Sequence, residues 1–144
     1  MKKILLLAFV GAMSLSLYAG TKLPVVLTAI PQALQDTIAA HFTQDQILAV
    51  TYEKTLPKHF EYEFRLGDGT KLKYNEKAKL LKIENENGID LSFVPKGIKD
   101  YVYQTFPNAT IVEYKNGIAR QDVELNIGID LIFDKGGRFL RLTD

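Results

Sequence analysis

The chain contains no cysteine, which excludes disulfides, zinc thiolates, a thiol nucleophile and a lipid attached through an N-terminal cysteine. The fold must hold itself by packing. Serine and histidine are also scarce: beyond residue 20 there is one serine, Ser92, and there are two histidines, His41 and His59. Ser92 suits a helix entrance better than a triad. No Gly-x-Ser-x-Gly, His-Glu-x-x-His, phosphate-binding glycine loop or calcium-loop pattern occurs. Two histidines without a paired carboxylate pattern make a poor zinc site. The single carboxylate of Gly67-Asp68-Gly69 is explained by turn chemistry. The expectation is a protein with no catalytic residue, no metal and no cofactor, hence not an enzyme.

A run of apolar residues long enough to span a bilayer is missing too. Met1-Lys2-Lys3 and the apolar stretch after it end in the small residues Ala19 and Gly20. That stretch falls short of the roughly 20 residues a spanning helix needs, and no basic stop-transfer cluster follows. It reads as a signal peptide over residues 1–19, cleaved after Ala19 or alternatively after Gly20, leaving no stable membrane anchor. Without Lys2 and Lys3 the chain carries 16 basic and 17 acidic groups, a balance that argues against nucleic acid as a partner. The expected location is periplasmic or secreted.

What the sequence does contain is a hairpin used twice. Phe60, Tyr62, Phe64 and Leu66 alternate with Glu61, Glu63 and Arg65, the period of two of a strand with one buried face. Gly67-Asp68-Gly69 tolerates positive φ and reverses the chain into Leu72 and Tyr74, with Lys71 and Lys73 on the other parity. Phe64, Leu66, Gly69, Leu72 and Tyr74 recur as Val123, Leu125, Gly128, Leu131 and Phe133, all at one constant offset of 59 in sequence number. Agreement over two strands and a turn marks an internal repeat.

The segment before each hairpin repeats at a spacing of 64: Ile30, Leu34, Ile38 and Phe42 answer to Val94, Ile98, Val102 and Phe106. Steps of four advance about 40° around a helix, so each set forms one apolar stripe fit to lie on a sheet. Pro31 and Pro95 suit a first helical turn, with Thr28 and Ser92 as alternative caps one turn earlier. Extended runs at 46–54 and 109–115 follow, and last strands at 80–84 and 139–142 close each unit. The predicted fold is α+β: two tandem repeats, each a helix packed on a four-stranded antiparallel sheet. The repeats are placed at residues 20–84 and 85–144, with the polar stretch Glu84 to Gly88 as linker.

Charge is unevenly spread. Lys54 to Lys82 holds eight basic and four acidic residues, and Glu113 to Asp134 two basic and five acidic. Ordinary solvated sheet faces account for this; the sharper reading is that the outward faces form opposite patches, Arg65, Lys71 and Lys73 against Asp122, Glu124 and Asp130, able to steer a protein partner. Ile132, Leu80 and Phe139 share the outward parity and are expected as exposed contact anchors.

These features resemble a known family. Each helix opens with an aliphatic-Pro pair, Ile30-Pro31 and Val94-Pro95, and the second ends in Phe106-Pro107 where the first has Phe42-Thr43. A charged alternating strand, a Gly-containing turn and a strand ending in Tyr74-Asn75 or Phe133-Asp134 follow. From Leu23 to Leu142 this resembles the secreted PepSY-like, β-lactamase-inhibitor-like proteins. The resemblance implies a non-enzymatic envelope protein that binds another envelope or extracellular protein, with relatives that bind or inhibit hydrolases. The chain departs from the disulfide-bearing inhibitors in having no cysteine, and no position here matches an inhibitory contact residue. The reading is a protein-binding module, with a small-ligand-binding or envelope-stress sensor module as the alternative.

Overall fold

The computed structural model describes residues 21–144; the expected signal peptide lies outside them. The elements in chain order are β1 (Leu23–Pro24), α1 (Gln32–Ala39), β2 (Ile47–Leu56), β3 (His59–Leu66), β4 (Lys71–Asn75) and β5 (Leu80–Glu84). Then come α2 (Lys96–Thr105), β6 (Ile111–Asn116), β7 (Gln121–Leu125), β8 (Ile129–Phe133) and β9 (Phe139–Thr143). The strands neighbour one another in chain order in an antiparallel sheet of nine, which with two helices makes the fold α+β. Two compact units divide the chain, one running to Asp68 and including Lys73–Lys79, the other formed by Gly69–Leu72 and Leu80–Asp144.

In the first unit the helical stripe is buried at Ile30, Leu34 and Ile38, and Val50, Phe64, Leu66 and Tyr74 supply the sheet side of the core. Phe64 meets Tyr74 edge to face at 6.0 Å, the geometry that aligns ring edge with ring face. Burial pushes the Tyr74 hydroxyl up to about 12. In the second unit Val94, Ile98 and Val102 repeat the stripe above Ile111, Val123, Leu125, Leu131 and Phe133. Pro31 and Pro95 are the residues just before the helices, with ψ of 140° and 142°. Thr28 and Ser92 belong to separate short 3-10 turns further upstream, and the turn at Ser92 is capped by the Asp90 carboxylate accepting from the Ser92 N–H at 2.9 Å.

The aromatic-Asn/Asp ending has a definite task. Asn75 Oδ1 accepts from the N–H groups of Lys77 and Lys79 at 3.0 and 2.9 Å. Asp134 Oδ1 accepts from those of Gly136 and Arg138 at 3.0 and 2.8 Å. One side chain thus holds the same tight turn in both copies, an Asx-type device. In the hairpin turn that follows β3, Gly69 takes φ +93°, where a side chain would be strained.

Three expectations need correction. Glu84 to Gly88 is not a free linker: the Asn85 N–H donates to the Val112 carbonyl at 2.9 Å and the Ile89 N–H to that of Ile111 at 3.0 Å. Asn85 is buried and its amide donates to Thr70 Oγ1 at 2.9 Å, because a polar segment running beside β6 must satisfy its own groups. Phe139 does not face outward: it pairs with Phe133, while Ile132 pairs with Arg141, so one extra residue, Leu140, sits in a bulge and reverses the parity. Its ring stacks on Tyr101 of α2 at 4.6 Å, and the same Tyr101 meets Phe133 at 5.5 Å. Ile132 keeps the outward register but is only 6% exposed, in a cleft it shares with Asp122 and with Lys115 and Arg120, the two residues whose long stems can screen apolar surface.

Candidate functional site

The outward residues of β6, β7 and β8 form a row fixed by strand register. Glu113 is opposite Glu124, and Glu124 is opposite Asp130, so three carboxylates lie side by side across three strands. Like charges directly opposed destabilise a sheet. Glu113 is relieved by Lys82 at 2.8 Å and Lys115 at 2.9 Å. Glu124 and Asp130 are exposed and have no ion-pair partner among the described residues. Asp122, one register position along, lies 3.0 Å from Arg120 Nε. Its Oδ1 is nearly sealed from solvent and still makes no well-aligned hydrogen bond.

The expected basic face is electrically different from its sequence. Lys73 lies 3.4 Å from Glu53 and 3.3 Å from Glu61, and Arg65 Nε lies 3.9 Å from Glu63. Burial works against the Lys73 ammonium, but Glu61 and Glu53 outweigh it and raise its pKa. Lys71 lies 3.1 Å from Glu84, which also receives Lys82. Partial burial opposes the Glu84 charge, yet hydrogen bonds from Lys82 and Lys71 bring its carboxyl down to about 2. Every cation of the expected basic patch therefore has a carboxylate beside it, two of them, Glu53 and Glu84, from outside the stretch of sequence that reads as basic. Ion pairing across strands makes this face mixed. Of the eight residues expected to bind a partner, Glu124 and Asp130 stand together as unneutralised charge, Asp122 adjoins them, and Ile132 lies beneath. Phe139 is on the other side of the sheet, and Arg65, Lys71 and Lys73 are tied up in pairs.

Glu113 belongs to the row, and the sequence reading misses it. Its sequence signal is Asn116-Gly117, a pair that favours a tight hairpin turn, but Asn116 stands opposite Gln121, so the loop is longer than that, and a bulge at Val112 shifts the register again. Counting from a tight turn misplaces it. No group of three or more His, Cys, Asp or Glu side chains able to hold a metal occurs among the described residues, and His59 Nδ1 instead lies 3.3 Å from Glu76.

These features define a duplicated α+β protein with a charged sheet face. The chain belongs to the PepSY-like family described as beta-lactamase-inhibitor-like, whose model matches residues 19–82 and again 81–141. Its fold is shared by a periplasmic protein of unknown function from Bacteroides vulgatus, at 25% identity and a TM-score of 0.76 over 86% of this chain and 100% of that one. A second B. vulgatus periplasmic protein, of the DUF2874 family, gives 21% and 0.77 over 88% and 100%. A Bacteroides thetaiotaomicron periplasmic protein named as calcium-regulated gives 20% and 0.76 over 85% and 97%. Among curated proteins no match is found. No helix among the described residues is long and apolar enough to cross a membrane.

Proposed function

We propose that this chain is an exported, non-enzymatic module of the periplasm or secreted fraction that binds another envelope or extracellular protein and restrains or regulates it, a hydrolase being the partner class that the family description suggests. In this reading residues 1–19 are removed as a signal peptide, and residues 20–84 and 85–144 act as two repeats, each a helix on four antiparallel strands. The observation that carries the binding role is the opposed pair Glu124 and Asp130. A free protein gains nothing in stability from two exposed carboxylates held face to face with no ion pair among the described residues, and local costs of this kind concentrate where a surface serves a partner. A basic side chain of the partner would relieve both. The periplasmic descriptions of the structural relatives support the location, and the family description supports binding over catalysis.

The test is capture of partners from the envelope extract of the source cell on the mature protein, followed by kinetics with the captured protein. Lysine at both Asp122 and Asp130 should slow association by about tenfold or more at low salt and flatten its salt dependence. Unchanged association rates in a folded variant would remove this face from the proposal.

A further inference from the structure

A second surface, independent of the charged face, lies beside α2. The C-terminal half of that helix, the segment before it and the start of β6 enclose a groove of about 340 Å³, within the range of roughly 300–1,000 Å³ typical of ligand sites. Ile89, Val102 and Ile111 form its buried floor. Leu91, 48% exposed, and Tyr103, 76% exposed, stand on its walls. Large exposed side chains around a buried apolar floor are the arrangement of an anchor pocket.

The first repeat provides an internal control. Beside α1 a smaller groove of about 250 Å³ is lined by Leu27, Ile38, Phe42 and Ile47, which correspond at the offset of 64 to Leu91, Val102, Phe106 and Ile111 of the second. The fold therefore makes the hollow in both copies, and only the differences need another reason. Where the second groove has Tyr103 the first has Ala39, and where the second has Lys99 the first has Gln35. Gln35 is occupied: its amide donates to the Ile30 carbonyl at 2.9 Å, securing the turn before the helix. The Lys99 ammonium makes no hydrogen bond or ion pair among the described residues, and the nearby Asp100 is taken by Lys96. Lys99 is also the one charged residue lining its groove, whereas Asp36 lines the first. The second copy has become larger, more aromatic and positive at its rim.

We propose that the groove beside α2 binds an extended protein segment in which an apolar side chain is followed directly by a carboxylate residue. The apolar group fills the space over Val102 between Leu91 and Tyr103, and the carboxylate meets the Lys99 ammonium at the rim. A hollow of this volume takes a few side chains, and Lys99 as its one charged lining residue is matched by a single carboxylate on a peptide. The charge complementarity also separates this site from the acidic row, whose partner must be basic.

The probe is acetyl-Gly-Leu-Glu-Gly-amide, titrated into the isotopically labelled chain and followed by backbone amide shifts. Acetyl-Gly-Leu-Lys-Gly-amide and octanoate are the comparison ligands. Saturable shifts are expected at residues 87–91 and 99–106, with the lysine peptide and octanoate both weaker by about fivefold or more. Lys99→Gln, which installs the first-copy residue, should weaken the glutamate peptide up to about fivefold, the scale of one exposed ion pair. Tyr103→Ala should remove most of the remaining affinity, and both variants should keep the parent melting temperature because neither side chain is in the core. Shifts centred elsewhere, equal affinity for the lysine peptide, tighter binding of octanoate, or indifference to Lys99→Gln would each overturn the proposal. None of these outcomes depends on the sheet-face partner.

Discussion

If Glu124 and Asp130 are uncompensated, then replacing Asp130 with lysine should stabilise the free protein. Asp130 is exposed and opposes Glu124 on one side and Thr143 on the other, so no buried contact is lost. Two carboxylates about 6 Å apart in a water-like dielectric repel by about 0.7 kcal/mol. Removing the charge removes that term, and reversing it adds an attraction of similar size, from which the ordering of a long side chain subtracts. Cross-strand pairs are worth about 0.2–1 kcal/mol by measurement, so Asp130→Asn should gain about 0.3–0.7 kcal/mol and Asp130→Lys about 0.5–1 kcal/mol. For a chain of this size that is a rise in melting temperature of roughly 1–3 °C for the asparagine variant and roughly 2–4 °C for the lysine variant. Thermal melts and urea midpoints at low salt measure it, and repetition in about 0.5 M NaCl should shrink the gain, since screening is strong beyond a few ångström at that ionic strength. If both substitutions leave the midpoint unchanged or lower it at low salt, the carboxylates are already balanced and the argument for a partner surface there fails.

Two further outcomes follow from the packing and the ion pairs. Ile38→Ala and Val102→Ala empty buried positions of the two helical stripes and should cost roughly 2–5 kcal/mol and somewhat less, respectively, whereas Lys96→Ala, on a side chain 85% exposed, should stay within about 0.5 kcal/mol; equal urea midpoints for all three would refute the helical register. The Glu84 carboxyl, lowered to about 2 from an ordinary value of 4.5, contributes stability that is present above that ordinary value and is lost as the pH falls through the lowered one. Glu84→Gln should accordingly flatten the acid limb of the stability curve between those values, and an unchanged acid transition would show that Lys71 and Lys82 do not hold it.

What could be read from the sequence was what the chain does locally. Alternation at Phe60 to Leu66 and steps of four at Leu34, Ile38 and Phe42 depend only on neighbouring residues, and the offsets of 64 and 59 follow from comparing such patterns. The charged face was not legible in the same way. Lys73 is neutralised by Glu53, two strands earlier in the chain, through a pairing that no local pattern specifies. The bulge at Leu140 turns Phe139 from an outward anchor into a stacking partner of Tyr101, and bulges carry no reliable sequence mark. Asn85 reads as linker because it is polar, yet its backbone is tied to β6, a strand that the chain reaches only after α2.

The duplication offers a way to separate folding from function without comparing this chain with any other. Where equivalent positions do the same work in both copies, as Asn75 and Asp134 do in their turns or Leu34 and Ile98 do in the core, the fold accounts for the residue. Where equivalent positions carry opposite chemistry, the fold tolerates both, and the difference needs a reason outside it. Arg65 and Lys71 correspond to Glu124 and Asp130 at the offset of 59, and Gln35 and Ala39 to Lys99 and Tyr103 at 64. In every one of these cases the first copy's residue is either paired, tied to its own backbone or small. The second copy's residue is charged without a partner or large and exposed. Divergence in that single direction favours the second repeat as the surface open to a binding partner, on two faces of opposite charge, so that one partner reaching both would have to present a basic group to the strands and an acidic one to the helix.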